Sequence, residues 1–301
     1  MNKPSLWRGV IPAITTPFTA DGSVDHDFLS RHANQLLDAG CTGIVPLGSL
    51  GEAATLSFEE KVAVMRSLVA AVGARAPVIP GIAALATGEA VRLARAARDA
   101  GCAALMVLPP YVYSTDWREM SAHVRAVIEA TELPCMLYNN PVAYKTDFRP
   151  EEIAQLAAEH PNVAAVKESS GDIRRIAALK SLLGDRLELL VGVDDAIVES
   201  IQMGATGWIA GQVNAYPRES VRLFELASRG GHAACAELYA WFLPLLRLDT
   251  VPKFVQLLKL SQQEVGMGSE RVRAPRLALE GAEREAALRV IRTANANRPR
   301  L

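Results

Sequence analysis

The sequence is short of several features that would each point to a function. It has only four cysteines in 301 residues, Cys41, Cys102, Cys135 and Cys235. They are far apart and form no CxxC pair, so neither a zinc site nor a disulfide framework is signalled, and all four are expected as buried thiols. Net charge is almost absent: 32 Lys and Arg stand against 33 Asp and Glu, with no Lys/Arg block longer than a pair. The electrostatic footprint of a nucleic-acid or anionic-membrane binder is therefore missing. The first residues, MNKPSLWRGVIP, hold no apolar run of signal-peptide length, and no later stretch approaches the roughly 18 uninterrupted apolar residues of a membrane span. A cytoplasmic protein with a small-molecule partner is the expectation.

What is present is a rhythm. Half of the residues are hydrophobic. Two junctions, DAGCTGIV and DAGCAALMV, show an amphipathic helix closing on a glycine, followed by a short apolar run that reads as a strand buried on both faces. The unit recurs, with expected strands at 9–15, 43–47, 78–82, 103–108, 135–139, 163–167, 187–192 and 207–211. Helical patterns lie between them, such as Phe28, Leu29, His32, Leu36 and Leu37 on one face, or Ile153, Leu156 and Ala157 on another. Such alternation implies parallel strands with right-handed crossovers. Eight units, with no Gly-rich dinucleotide loop after the first, favour an α/β fold of the (β/α)8 TIM-barrel type, which typically takes about 250 residues. The barrel is expected over 1–229, closing with a helix from Pro217 to Arg229; residues 230–301 read as an appended helical segment of three or more helices.

In such a barrel the chemistry lies where the strands end. The sixth expected strand ends VAAVKESSGD, which sets Lys167 on a run of Val and Ala. A desolvated lysine loses charge more readily, its pKa falling from about 10.4 towards ~7 to 8, and a neutral amine can attack a carbonyl and form a Schiff base. On position by itself Lys167 could equally pair with Glu168 or reach to solvent. The fifth expected strand ends MLYNNP, so Tyr138 sits beside Lys167 at the same level, able to shuttle a proton or simply to pack with a satisfied hydroxyl. The second ends PLGSLGE, where Gly48 and Gly51 let backbone N–H groups converge on an anion, with the Ser49 hydroxyl alongside. A carboxylate suits that turn better than a phosphate, which usually wants more glycine and a nearby cation.

Together these segments resemble the dihydrodipicolinate synthase/N-acetylneuraminate lyase family of pyruvate-type Schiff-base enzymes. The matching runs are GVIPAITTPF at 9–18, GSLGE at 48–52, VLPPY at 107–111, YNNP at 138–141, KESSGD at 167–172 and GVDDA at 192–196. They keep the family's order and spacing over nearly the whole chain. The resemblance implies that Lys167 is the Schiff-base lysine, Tyr138 the general acid/base and Ser49 a further catalytic group. The N–H groups of Ser49 and Leu50 would cradle the 2-oxo acid carboxylate, and Gly48, Tyr111, Gly192, Ile209 and Gly211 would complete the substrate site. It implies neither a metal nor an organic cofactor, the covalent lysine imine serving instead, and a homotetramer built as a dimer of dimers.

Three positions depart from the biosynthetic branch of that family. Its arginine two residues after the tyrosine-motif proline, which holds the carboxylate of aspartate semialdehyde, is Ala143 here. Its paired threonines are Ser49 and Leu50, and its second tyrosine after Pro-Tyr is Val112, following Tyr111. Lys145 is the candidate replacement cation, or else a solvated loop charge. Asp194 and Asp195 argue against a phosphorylated substrate and are expected to cap the next helix rather than touch a ligand; Gln212 and Asn214 are expected near the same mouth. The reading that follows is a lyase, aldolase or dehydratase acting on pyruvate or an unphosphorylated 2-oxo acid. The alternatives are the authentic 4-hydroxy-tetrahydrodipicolinate synthase and a non-catalytic 2-oxo acid binding barrel.

Overall fold

The computed structural model describes residues 6–110, 116–230 and 232–301. Among these residues, seven parallel strands make one curled sheet: β1 (Gly9–Pro12), β2 (Gly81–Ile82), β3 (Leu105–Val107), β4 (Cys135–Asn139), β5 (Val163–Glu168), β6 (Glu188–Val191) and β7 (Gly207–Ala210). Their order is β1-β7-β6-β5-β4-β3-β2. The expected strand at 43–47 is not a regular strand. It is reduced to bridges from Val45 to Ala13 and from Ile44 to Val78. The cause is local: Pro46, Pro77 and Pro80 have no N–H to give a ladder, and Leu47 turns at φ 62°. Even so, Val45 N–H donates to Pro12 O at 2.8 Å and Gly81 N–H to Pro46 O at 2.8 Å, so the segment joins the two ends of the sheet.

The helices follow the expected pattern. α1 (His26–Asp38) starts at Asp25, whose carboxylate accepts from Phe28 N, and buries Leu29, His32, Ala33 and Leu36, spaced to share one face. α2 (Phe58–Val72) opens with a capping box between Ser57 and Glu60. Next come α3 (Thr87–Asp99), α4 (Trp117–Ile128), the single turn α5 (Pro141–Tyr144), α6 (Pro150–Glu159), α7 (Arg174–Leu183), α8 (Ile197–Gln202) and α9 (Pro217–Ser228). In α6 the buried face carries Ile153, Leu156 and Ala157. All five residues of β4 are buried, as a strand covered on both faces must be. The four cysteines are free and buried; burial pushes the Cys41, Cys102 and Cys135 thiols up to about 12.

Beyond residue 230 the chain is helical, with α10 (His232–Leu246), α11 (Phe254–Glu264) and α12 (Gly281–Ala296). This segment is bound to the sheet side by a buried charge pair. Lys259 Nζ lies 2.5 Å from Glu52 Oε1, both side chains being essentially inaccessible, and also donates to Thr16 O and Arg271 O. Among the described residues no helix is long and apolar enough to cross a membrane.

Candidate active site

A cavity of about 630 Å³ opens where the strands end. Lys167 and Tyr138 pair in register across β4 and β5, so both side chains share a face. Lys167 Nζ sits 3.9 Å from the centroid of the Tyr138 ring. Glu168, one residue on, belongs to the other face, where it accepts from Ser170 N at 2.7 Å and Asn139 Nδ2 at 3.1 Å. Among the described residues Lys167 therefore has no carboxylate in ion-pair contact, and the pairing with Glu168 does not occur. Gly192 makes room for it: a Cβ there would stand 2.2 Å from Lys167 Cε and 2.2 Å from Ser169 Oγ.

The turn after the bridging segment is built by backbone strain. Leu47 adopts φ 62° and Glu52 φ 53°, uncommon for side chains of this size. Gly81 permits the close approach, since its Cβ would fall 2.5 Å from Leu47 O. Between these points, the N–H groups of Ser49 and Leu50 find no acceptor among the described residues and flank the cavity. Two such N–H groups are an anion nest. Glu52, held by Lys259 and by Arg273 N at 3.0 Å, fixes the far end of the turn.

Gly48, Ser49, Leu50, Tyr138, Lys167, Gly192, Ile209 and Gly211 all line this one cavity. Tyr111 and Val112 lie outside the described residues. Lys145 does not line the cavity, which corrects the expectation. It sits at φ 62° as the C-cap of α5, a left-handed turn that swings its side chain outward, and its ammonium donates to Val142 O at 3.0 Å. Its neighbour Tyr144 faces inward instead. The Tyr144 hydroxyl hydrogen-bonds Ser49 Oγ, and its ring meets that of Tyr138 edge-on at 5.7 Å. Tyr138 OH in turn accepts from Asn140 Nδ2 at 3.1 Å.

Asp194 does not cap its own helix. Its carboxylate, wholly buried, accepts from Gln212 N at 2.7 Å, Trp208 Nε1 at 2.9 Å and Gly211 N at 3.1 Å, so it caps the turn after β7 instead. Burial raises its pKa to about 6 against those hydrogen bonds. Gln212 and Asn214 are buried away from the cavity; Asn214 donates to Ala13 O and its Oδ1 lies 3.2 Å from His32 Nε2. Asp195 does line the cavity, with Arg247 at 3.7 Å.

Ser169, Asp249 and Arg276 also line the cavity, and nothing in the sequence singled them out individually. Ser169 is 3% exposed and its hydroxyl has no hydrogen-bond partner among the described residues. Asp249 and Arg276 come from the C-terminal segment, too far along the chain for any motif to connect them with strand ends. Burial first, and Asp194 next, push the Asp249 carboxyl well above the usual carboxylate range. Among the described residues no group of three or more His, Cys, Asp or Glu comes together to hold a metal ion.

Chemically, the arrangement joins an amine, a phenol and an anion nest in one cavity. Comparison with known proteins identifies the family. The family model described as the dihydrodipicolinate synthetase family matches residues 6–294. A 4-hydroxy-tetrahydrodipicolinate synthase of Methanothrix thermoacetophila is 36% identical over 292 residues, covering 96% of this chain and 97% of its own. The enzyme of the same name from Stenotrophomonas maltophilia is 36% identical over 280 residues, covering 93% of each chain. Among solved structures, the chloride-inhibited dihydrodipicolinate synthase of Acinetobacter baumannii complexed with pyruvate superposes with a TM-score of 0.90 at 30% identity, covering 96% of this chain and 99% of that one. With its strand order, its lysine–tyrosine register and this match over almost all of its length, the chain belongs to the dihydrodipicolinate synthetase family of lyases.

Proposed function

We propose that the protein cleaves or dehydrates an unphosphorylated 2-oxo acid through an imine on Lys167. The observation that carries this reading is the Lys167 amine lying 3.9 Å over the Tyr138 ring in a cavity flanked by the N–H groups of Ser49 and Leu50, which find no acceptor among the described residues. The carboxylate binds those N–H groups, which brings the keto carbon to Lys167 Nζ. The amine adds to that carbon, Tyr138 hands a proton to the departing hydroxyl, and water leaves as the protonated imine forms. For a 4-hydroxy substrate, removal of the 4-hydroxyl proton sends the C3–C4 electron pair into the imine. An aldehyde departs and an enamine remains, which is protonated at C3 and hydrolysed to free the amine. For a dehydration, loss of a C3 proton and of hydroxide from C4 uses the same electron sink. Ser49 and Tyr144 form the hydroxyl pair through which protons reach Tyr138, and the Ser169 hydroxyl, unpartnered among the described residues, is matched by a hydroxyl of the carbinolamine or substrate. The imine supplies the electron sink, and the chemistry calls for no additional cofactor.

Borohydride trapping with pyruvate, followed by mass mapping, tests the reading: the adduct is expected on Lys167, and its absence there overturns the mechanism. A second reading, the authentic 4-hydroxy-tetrahydrodipicolinate synthase, is favoured by the names of the relatives. Ala143, exposed where that enzyme needs its arginine, weighs against it. Efficient turnover of pyruvate with aspartate semialdehyde would decide for the synthase. A closed (β/α)8 barrel over 1–229 with a helical unit over 230–301, a homotetramer and a cytoplasmic location complete the proposal; sedimentation of the purified chain tests the assembly.

A further inference from the structure

With Lys145 turned outward and Ala143 uncharged, the loop after β4 brings no cation to the cavity. Arg276 does, from the connection between α11 and α12. Once Lys167 is committed to an imine, Arg276 is the remaining lysine or arginine among the described lining residues. Its guanidinium makes no hydrogen bond to any described residue. The nearest carboxylate, Glu52 Oε2, is 3.8 Å away. That carboxylate is already engaged by Lys259 Nζ at 2.5 Å and Arg273 N at 3.0 Å, so Glu52 steadies Arg276 without saturating its donors. A guanidinium left with open N–H donors at a cavity wall matches a carboxylate in two-point geometry.

We propose that Arg276 holds a second carboxylate, at the end of the substrate remote from the keto acid, and that the substrate is therefore a dicarboxylic 2-oxo acid. This rests on the imine reading above. Two acidic groups share the cavity and bear on it. Asp195 is paired with Arg247 at 3.7 Å, and burial together with the neighbouring Asp194 pushes the Asp249 carboxyl well above the usual carboxylate range, which disfavours a competing anion there. The cation that the synthase keeps beside its tyrosine has thus been replaced by one from a different part of the chain.

The test is competitive borohydride trapping on the full chain with two matched pairs, 2-oxoglutarate against 2-oxopentanoate and 2-oxoadipate against 2-oxohexanoate. Each pair differs in the distal carboxylate. The dicarboxylate of at least one pair is expected to modify Lys167 at concentrations about tenfold or more below its partner, the scale of a charge-assisted hydrogen bond. Arg276→Gln is expected to bring that ratio close to one, and Arg276→Lys to restore part of it, with thermal unfolding recorded for each variant. If the unmodified protein prefers neither dicarboxylate, or if Arg276→Gln keeps the preference, the assignment of Arg276 is wrong while the imine reading stands. If pyruvate itself leaves no adduct on Lys167, the imine reading fails and this assignment with it.

Discussion

Lys167 and Tyr138 were legible in the sequence because a strand end is a fixed address: the inward-facing residue closing an apolar run in this fold lines the mouth, and parallel pairing brings the two together. Lys167→Ala is expected to abolish turnover and pyruvate trapping while the circular dichroism spectrum stays that of the parent. In the proposed mechanism Tyr138→Phe removes the proton carrier and leaves the ring, so a loss of roughly 10²- to 10⁴-fold in kcat is expected. Gly192 offers a sharper test of geometry. Its missing side chain is the space that Lys167 Cε occupies, so Gly192→Ala should displace the lysine and cut the rate of adduct formation, read by the same trapping assay. Lys145 departs from its expected place for a reason at this scale: nothing in the sequence tells that the residue capping a four-residue helical turn takes a left-handed conformation and points outward. Tyr144, one position earlier, gains the inward place as a result.

At the scale of elements, the decisive piece is the 47–52 turn. Its glycines and serine could be read as an anion nest, whereas the strained Leu47 and Glu52 and the means of holding them could not. The restraint comes from α11, through the buried contact of Lys259 with Glu52. Deleting one partner of such a pair leaves an unpaired charge in the interior, so Lys259→Met is expected to cost about 3 to 5 kcal/mol in urea unfolding. Adding Glu52→Gln to that variant should recover part of the loss, since the stranded carboxylate is then gone. The expected strand at 43–47 fails as a regular element for a comparable reason. Its own proline and those of the neighbouring segment are visible in the sequence, but their effect depends on which neighbours they face.

For the whole molecule, the C-terminal segment is part of the site's wall and of its support. α11 reaches the interior again at Gln262, whose Nε2 lies 3.3 Å from His32 Nε2, while His32 also meets Asn214 Oδ1. Burial drives the His32 pKa down from 6.5 to about 4. Because the folded value is depressed, the contribution is fully present above pH 6.5 and is lost as pH falls through about 4, the unfolded chain taking up the proton first; it amounts to about 3 kcal/mol. Asp194 runs the other way: its folded value near 6 is raised, so its contribution is present below about 3.8 and lost as pH rises through 6. The difference between the stability curves of the parent and His32→Gln isolates the histidine, and the variant is expected to show the flatter acid limb. Since the same contacts tie α11 to α1 and to the turn after β7, calorimetry should record one transition for 1–229 and 230–301 together; two separated transitions would show that the helical segment is independently stable.

What the sequence determined by itself is what depends on local periodicity and on strand ends: the alternation of strands and helices, the parallel order, and the lysine, tyrosine and glycine turn that meet in one cavity. Only the tertiary structure decided which charged side chains share that cavity. Lys145 lies close to Tyr138 in the chain and faces away, whereas Asp249 and Arg276 lie more than a hundred residues further on and line the wall. A side chain's direction is set by the φ of its own residue and by the packing around it, and packing joins segments whose separation along the chain carries no information.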